Sequence, residues 1–273
     1  MPALVVLTVS VLLGACFAPG EPSGPERTAM PSAKAPSPEV SGAEGPGSGA
    51  PIVVAELFTS QDCSSCPPAD RLLAALTREA EASGAALLTL SYHVDYWDRL
   101  GWTDPFGSAR HSARQRAYAP TLDGRVYTPE LVVGGTRAVV GSHEPRVRAA
   151  LADAASDAQP VGVALAATAR GGALGVDYAV TDAPHSARLH LLVVQREGGA
   201  DVARGENGGR RLDHVHIVRG VETVAAGRGT TTLALPDGVG AHDVFVAALV
   251  QPGRVGAVLG AARVDVTPAD TSS

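Results

Sequence analysis

Two cysteines three positions apart, Cys63 and Cys66, lie between an apolar run and a helical pattern, and this arrangement constrains the fold most strongly. The run at 52–58 (IVVAELF) is typical of a strand buried on both faces. Residues 69–82 carry apolar side chains at helical spacing, and residues 85–90 form a second apolar run. The order strand, helix, strand predicts a βαβ unit with the cysteine pair before its helix.

A Cys-x-x-Cys pair at this place in a βαβ unit is the arrangement of thioredoxin-like redox sites. Unpaired backbone N–H groups at the helix start stabilise a thiolate, so Cys63 is the predicted nucleophile. Cys66, already within bonding distance, would resolve the mixed disulfide. A structural disulfide, a zinc site and unused thiols are the alternatives. The sequence offers no second Cys or Cys/His pair at finger spacing to complete a zinc site.

Neighbouring residues bear on the reactivity of this pair. The Asp62 carboxylate disfavours a thiolate at Cys63. The proline after Cys66 disfavours helical geometry there, so we expect the helix to begin at Pro68 and the pair to lie on the preceding turn. Glu56, inside the apolar strand, is predicted to exchange protons with the resolving thiol; the alternative is a carboxylate paired at the strand end.

Aromatic side chains concentrate near the dithiol, since eight of the eleven in the chain fall within residues 58–127. They either form a wall that binds substrate or pack an insertion against its own domain. A histidine and an aspartate in this insertion could also move protons or bind metal, although a histidine at a strand end is commonly structural. The candidate substrate-facing residues are His93, Asp95, Tyr96 and Trp97.

The remaining pattern predicts two domains. In the first, an α/β domain over 51–158, we expect helices at 108–119 and 144–155, the latter capped by Ser142, and a strand at 131–133. In the second, over 159–267, alternating segments predict a mostly antiparallel β-sandwich, followed by a disordered tail at 268–273. The segments are 161–169, 174–180, 189–194, 230–235 and 244–250. His214 and His216 alternate like strand residues on one face, and we interpret them as structural.

The N-terminus predicts export. An apolar segment at 3–13 precedes Leu-Gly-Ala-Cys, which is typical of a lipoprotein signal at 1–15 with lipidation of Cys16. A plain cleaved signal and an uncleaved anchor are the alternatives. Residues 16–50, rich in Ala, Pro, Ser and Gly, predict a disordered tether. The net charge of -6, with a single lysine, leaves no basic stripe for nucleic acid.

Four segments carry a family resemblance: ELFTSQDCSSCPPADRLL, SYHVDYWDRLGWTDPF, RQRAYA and GRVYTPELVVGG. Together they resemble the exported thioredoxin-like proteins of the domain of unknown function 1223 family, and the likeness extends to 205–210 and 216–219. The resemblance implies a thioredoxin-like fold and supplies no established substrate. It also implies a cis bond between Thr128 and Pro129, facing the dithiol and presenting the Thr128 backbone to substrate. Asp62 stands where the family's glycine is expected.

These observations predict an exported thiol/disulfide exchange protein, lipid-anchored in the cell envelope and facing the periplasm. Thr128 and Pro129 would position the partner, while Glu56 or His93 would move protons. The expected partners are exported protein thiols or disulfides and a redox recycling partner, with membrane contact through the N-terminal lipid only and no cofactor. The rival hypotheses are a non-catalytic binding lipoprotein with a structural disulfide, and a copper carrier using both cysteines and His93.

Overall fold

The structure is a computed structural model that describes residues 51–157 and 159–268. Several predicted features lie outside the described residues: the signal peptide, the lipidation site at Cys16, the tether and residues 269–273 of the tail. Among the helices of the described part, none is long and apolar enough to cross a membrane.

Within the described residues the chain forms twelve strands and three α-helices. The helices are α1 (Pro67–Ser83), α2 (Ala109–Tyr118) and α3 (Glu144–Ala154). The strands are β1 (Val53–Thr59), β2 (Leu87–His93), β3 (Glu130–Val133), β4 (Arg137–Val140), β5 (Gly162–Arg170), β6 (Ala173–Thr181), β7 (Arg188–Asp201), β8 (Arg211–Ala225), β9 (Arg228–Ala234), β10 (Val244–Gln251), β11 (Gly260–Asp265) and β12 (Thr267–Pro268). The predicted βαβ unit corresponds to β1, α1 and β2.

The strands form a mixed eight-stranded sheet and a second, mostly antiparallel sheet of four strands. The larger sheet has the order β11-β10-β7-β8-β2-β1-β3-β4, and the smaller one β12-β5-β6-β9. In the larger sheet β1 pairs in parallel with β2 and antiparallel with β3. One parallel bridge, Ser91 to Ile217, joins β2 to β8. The larger sheet therefore contains strands from both sides of the boundary predicted at residue 158.

Three apolar cores hold these layers together. One core packs α1 and α3 against the larger sheet, a second lies on the opposite face of that sheet, and a third lies between the two sheets. Leu191 and Val193 of β7 belong to the third core, whereas Leu192 and Val194 belong to the second. The runs in β7 and β10 were predicted as alternating; both are buried on two faces, which is why they are continuously apolar.

Two details at helix starts differ from the prediction, the first residue of α1 and the capping residue of α3. Helix α1 begins at Pro67, because a proline at the first helical position loses no helical hydrogen bond, and Cys66 before it keeps helical backbone angles (φ -79°, ψ -36°). The expectation that Cys66 is pushed out of helical geometry is therefore wrong. Helix α3 is capped by His143 in place of Ser142, since the His143 side chain accepts a hydrogen bond from the Arg146 N–H.

Candidate functional site

The two cysteines form a disulfide on the turn between β1 and α1. Their Cα atoms are 5.4 Å apart, and the Cys66 N–H donates to the Cys63 carbonyl at 3.1 Å. Both cysteines are 0% exposed, whereas Ser64 and Ser65 between them are exposed. The disulfide is therefore closed at the start of α1, with the intervening serines presented at the surface.

The Thr128–Pro129 step lies against this disulfide, and its peptide bond is cis. The Thr128 hydroxyl donates to Cys63 Sγ at 3.2 Å, and the Trp97 indole N–H donates to the same hydroxyl at 2.8 Å. The Thr128 carbonyl accepts from the Ser65 hydroxyl at 3.4 Å. Thr128 thus links the aromatic insertion, which is the segment between β2 and α2, to the sulfur of Cys63.

The aromatic insertion also supports the dithiol turn from a second direction. Trp102 donates its indole N–H to the Gln61 side chain at 3.0 Å, and the Asp104 carboxylate accepts from the Gln61 backbone N–H at 2.8 Å. Asp95 instead accepts from the Ser112 hydroxyl of α2. Trp102 therefore reaches the dithiol turn directly and Trp97 reaches it through Thr128, whereas Asp95 anchors the insertion to a helix.

A loop of the second half, residues 202–210, closes over the dithiol turn. The Glu206 carboxylate accepts from the Ser64 N–H at 2.9 Å, and the Glu206 N–H donates to the Asp62 carboxylate at 2.7 Å. Gly205, with φ of +78°, comes so close that a Cβ would lie 1.8 Å from Asp62 Oδ1. Only glycine permits this approach. The unusual Asp62 is thereby occupied in holding the loop.

Asn207 is the buried anchor of the same loop. Its side-chain amide donates to the carbonyls of Gln61 and Cys63, at 2.9 and 3.0 Å, and its oxygen accepts from Arg210 at 2.6 Å. Asn207 is 1% exposed. The sequence alone left the role of this loop open. No local sequence pattern indicates that Asn207 will donate a hydrogen bond to the carbonyl of Cys63, which is 144 residues away.

Glu56 lies on the face of β1 that is turned away from α1. Its carboxylate accepts from Arg114 Nε at 2.7 Å and from the Tyr118 hydroxyl at 2.5 Å, both on α2. Arg114 donates further to Gln251 at 2.8 Å. Burial raises the pKa of Tyr118, which keeps this hydroxyl a donor. The hydrogen bonds of Glu56 are made with α2, which is bonded in turn to Gln251 of β10. This geometry matches the alternative hypothesis that Glu56 is a paired carboxylate.

Glu130, which follows Pro129 directly, is a titratable residue that sequence reasoning missed. It is 1% exposed, and its carboxylate accepts from the Gln115 amide at 2.7 Å. Burial raises the pKa of Glu130 to about 7. Gln115 also accepts from the Tyr96 hydroxyl at 3.0 Å. The signal available in the sequence was a carboxylate at the start of a buried strand, directly after the Thr-Pro step.

His93 ends β2 and is fully buried. Its Nδ1 lies 2.7 Å from the Asp104 carboxylate, and its ring centre is 4.4 Å from that of His214 on β8. Burial raises the pKa of Asp104, but the charge and hydrogen bond of His93 outweigh burial and lower it to about 2. In the described part of the chain, no three His, Cys, Asp or Glu side chains are arranged to hold a metal ion. This includes the set of His93, Cys63 and Cys66.

Comparison with known proteins places these features in a family. Residues 54–251 match the family model described as "Protein of unknown function (DUF1223)". Protein AGR_C_4864 from Agrobacterium tumefaciens, solved by crystallography, is 31% identical over 83% of this chain and 99% of its own, with a TM-score of 0.59. HBP35 of Porphyromonas gingivalis shares the fold at 18% identity and a TM-score of 0.55, over 83% and 80% of the two chains. A search of curated proteins finds no match. The chain belongs to the DUF1223 family.

Proposed function

We propose that this chain is an exported thiol/disulfide exchange protein whose redox group is the Cys63–Cys66 pair. The observation that carries the proposal is the closed disulfide at the first turn of α1, directly after a buried strand, with the Thr128 hydroxyl on the Cys63 sulfur. Both the helix start and this hydroxyl favour a thiolate at Cys63.

The architecture supports a thioredoxin-like first half. Strand β1 is flanked by parallel β2 and by the antiparallel β3–β4 pair, while α1 follows β1 and α3 follows β4. A β-sandwich in the second half is supported by the core between the smaller sheet and strands β7 and β10. HBP35 shares the fold over most of the chain.

The exchange reaction needs only the two sulfurs and a partner. The Cys63 thiolate attacks one sulfur of a substrate disulfide, forms a mixed disulfide and expels the other substrate sulfur as a thiolate, which takes a proton from water. Cys66 then attacks the Cys63 sulfur, closes the disulfide and releases the second substrate sulfur. Two electrons pass from the dithiol to the substrate, and a thiol reductant restores the dithiol. The reverse sequence oxidises a substrate dithiol.

Access to Cys63 controls this reaction, since the disulfide is fully buried in the closed form. Trp97 and Thr128 cover it on one side, and the Glu206 loop holds the neighbouring Ser64 on the other. A substrate must displace one of these covers, and the exposed Ser64 and Ser65 are the surface it meets first. The proposed partners are exported protein thiols or disulfides and a recycling partner, and the proposed location is the envelope, through Cys16.

The test is the reduction potential of the pair, measured by equilibrating the full chain with thiol buffers and alkylating the free thiols. An exchange catalyst is expected to have a potential between roughly -120 and -270 mV. Cys63→Ser should abolish turnover of a disulfide-bonded protein, and Cys66→Ser should accumulate mixed disulfides. A potential below about -300 mV, with no turnover, would reject the proposal.

A binding lipoprotein with a structural disulfide is the second candidate, and the complete burial of both cysteines favours it. In that case a bound partner is retained by both serine variants. Thiols of the reduced native chain would then react with alkylating reagents only on unfolding. Alkylation of the reduced chain, followed with and without denaturant, separates the two candidates.

A further inference from the structure

A group of buried ionisable side chains lies between the start of α1, which follows the resolving cysteine, and strands β2 and β8, and it takes no part in the reaction described above. It consists of Asp70 on α1, His214 on β8, His93 on β2 and Asp104 in the loop that follows β2, which are 6%, 3%, 0% and 2% exposed. Buried charges are costly and are retained where they are paired or used. Their position beside a dithiol suggests a use.

Asp70 is the member closest to Cys66 along the chain. Cys66 keeps helical backbone angles, and the Asp70 N–H donates to the Cys66 carbonyl at 3.1 Å. Residues four apart on a helix lie on the same face, so Asp70 and Cys66 point to the same side of α1. One Asp70 carboxylate oxygen accepts from the Thr59 hydroxyl at 2.8 Å, and the other has no hydrogen-bond partner among the described residues.

His214 completes a carboxylate–imidazole pair with Asp70. Its Nδ1 lies 3.6 Å from the bonded oxygen of Asp70, and neither ring nitrogen has a hydrogen-bond partner in the described part of the chain. Burial lowers the pKa of His214, but the Asp70 carboxylate outweighs burial and raises it. The pair therefore combines a vacant carboxylate oxygen on Asp70 with an imidazole whose protonated form Asp70 favours. Glu56, by contrast, has its two oxygens occupied by Arg114 and Tyr118.

We propose that Asp70, with His214 beside it, accepts the thiol proton of Cys66 when Cys66 closes the disulfide. The inference rests on the proposed exchange function. The S–H bond of Cys66 breaks and its proton passes to the vacant Asp70 oxygen. The freed electron pair forms the bond to Cys63, and the bond from Cys63 to the substrate sulfur breaks with its electron pair leaving on that sulfur. On reduction of the disulfide by a thiol, Asp70 returns the proton to the departing Cys66 thiolate.

Other titratable groups lie close to the Asp70–His214 pair. His93 Nδ1 lies 2.7 Å from the Asp104 carboxylate, and one Asp62 oxygen accepts from the Glu206 N–H, while the second Asp62 oxygen and His93 Nε2 have no hydrogen-bond partner among the described residues. The titratable groups that face His214 from the neighbouring elements, besides Asp70, are His93, Asp104 and Asp213. Asp70 combines the helical-turn spacing from Cys66 with a vacant oxygen.

The first experiment follows the two thiol steps separately. The full chain carrying Cys16→Ser is reduced and mixed with an aromatic disulfide that releases one chromophoric thiol when Cys63 attacks and a second when Cys66 resolves. Asp70→Asn should slow the second release by roughly tenfold or more, because general-base assistance is lost, and leave the first within about twofold. Asp70→Glu should restore part of the rate. Glu81→Gln, a carboxyl change on the exposed part of the same helix, is the matched control.

A second experiment does not depend on exchange activity. In the full chain carrying Cys16→Ser and Cys63→Ser, Cys66 is the only thiol, and its ionisation is followed by the ultraviolet absorbance of the thiolate. Asp70→Asn removes a negative charge about one helical turn away and should lower the titration midpoint by about one to two units. An unchanged midpoint or an unchanged second release overturns the role of Asp70. If the first release is absent, the exchange function itself fails, and the titration alone decides the role of Asp70.

Discussion

Replacing Glu56 by glutamine separates a structural carboxylate from a proton carrier. Glutamine keeps the size and one acceptor oxygen of glutamate but removes the charge that compensates Arg114. The Arg114 side chain is 8% exposed, and that of Glu56 is 0% exposed. Breaking a buried ion pair from one side costs about 3 to 5 kcal/mol, because the remaining charge is left uncompensated. We therefore expect Glu56→Gln to lower the free energy of unfolding by that amount.

Urea unfolding of the oxidised chain, followed by circular dichroism, measures this loss. With a slope of about 2 to 3 kcal/mol per molar urea, the midpoint should fall by about 1 to 2 M. Glu79→Gln is the matched control, since its pair with Arg148 is exposed, and its midpoint should stay close to that of the parent. A Glu56→Gln chain of parental stability that resolves mixed disulfides slowly would refute this reasoning and restore the proton-shuttle role.

Three further predictions concern the covers of the dithiol and its titratable neighbour. Gly205→Ala should displace the 202–210 loop, because the new Cβ would overlap the Asp62 carboxylate. The displaced loop should expose Cys63 and speed its alkylation in the reduced chain. An unchanged alkylation rate, measured by mass spectrometry, would contradict the role of this loop as a cover. Trp97→Phe removes the hydrogen bond to Thr128 and should lower the free energy of unfolding by about 1 kcal/mol. It should also speed alkylation of Cys63 in the reduced chain. An alkylation rate equal to that of the parent would show that Trp97 does not cover Cys63. Because the folded pKa of Glu130, about 7, lies above its unfolded value near 4.3, its contribution to stability is present below about pH 4.3 and is lost as the pH rises through about 7. Glu130→Gln should remove up to about 4 kcal/mol of this pH dependence in unfolding curves; an unaltered dependence would show that another group causes it.

Local sequence patterns were sufficient for the elements that bear the dithiol. The apolar run before Cys63 and the helical spacing after Cys66 predicted β1 and α1 to within one or two residues. Both signals arise from backbone propensity and burial periodicity, which act over a few residues. Strand β4 (Arg137–Val140) was missed because it is short and only half-buried, and so lacks a strong apolar pattern.

For the site, some residues were predicted but their partners were not. The Thr128–Pro129 step was assigned through resemblance, and the structure brings it to Cys63 together with Trp97. Glu56 was selected because a carboxylate in an apolar run is unusual. Its partner Arg114, 58 residues later, could not be identified, since nothing in a local pattern states which buried cation will face a given strand position.

The sequence by itself determined the dithiol, its place between a buried strand and a helix, and the mixed α/β character of the first half. The tertiary structure decided what surrounds the dithiol. The pairing of β2 with β8 joins the two halves in one sheet and brings His214 to Asp70, while the 202–210 loop brings Asn207 to the Cys63 carbonyl. These contacts join residues more than a hundred positions apart. They depend on how complete sheets pack against each other, and the residues next to a side chain in the sequence do not determine that packing.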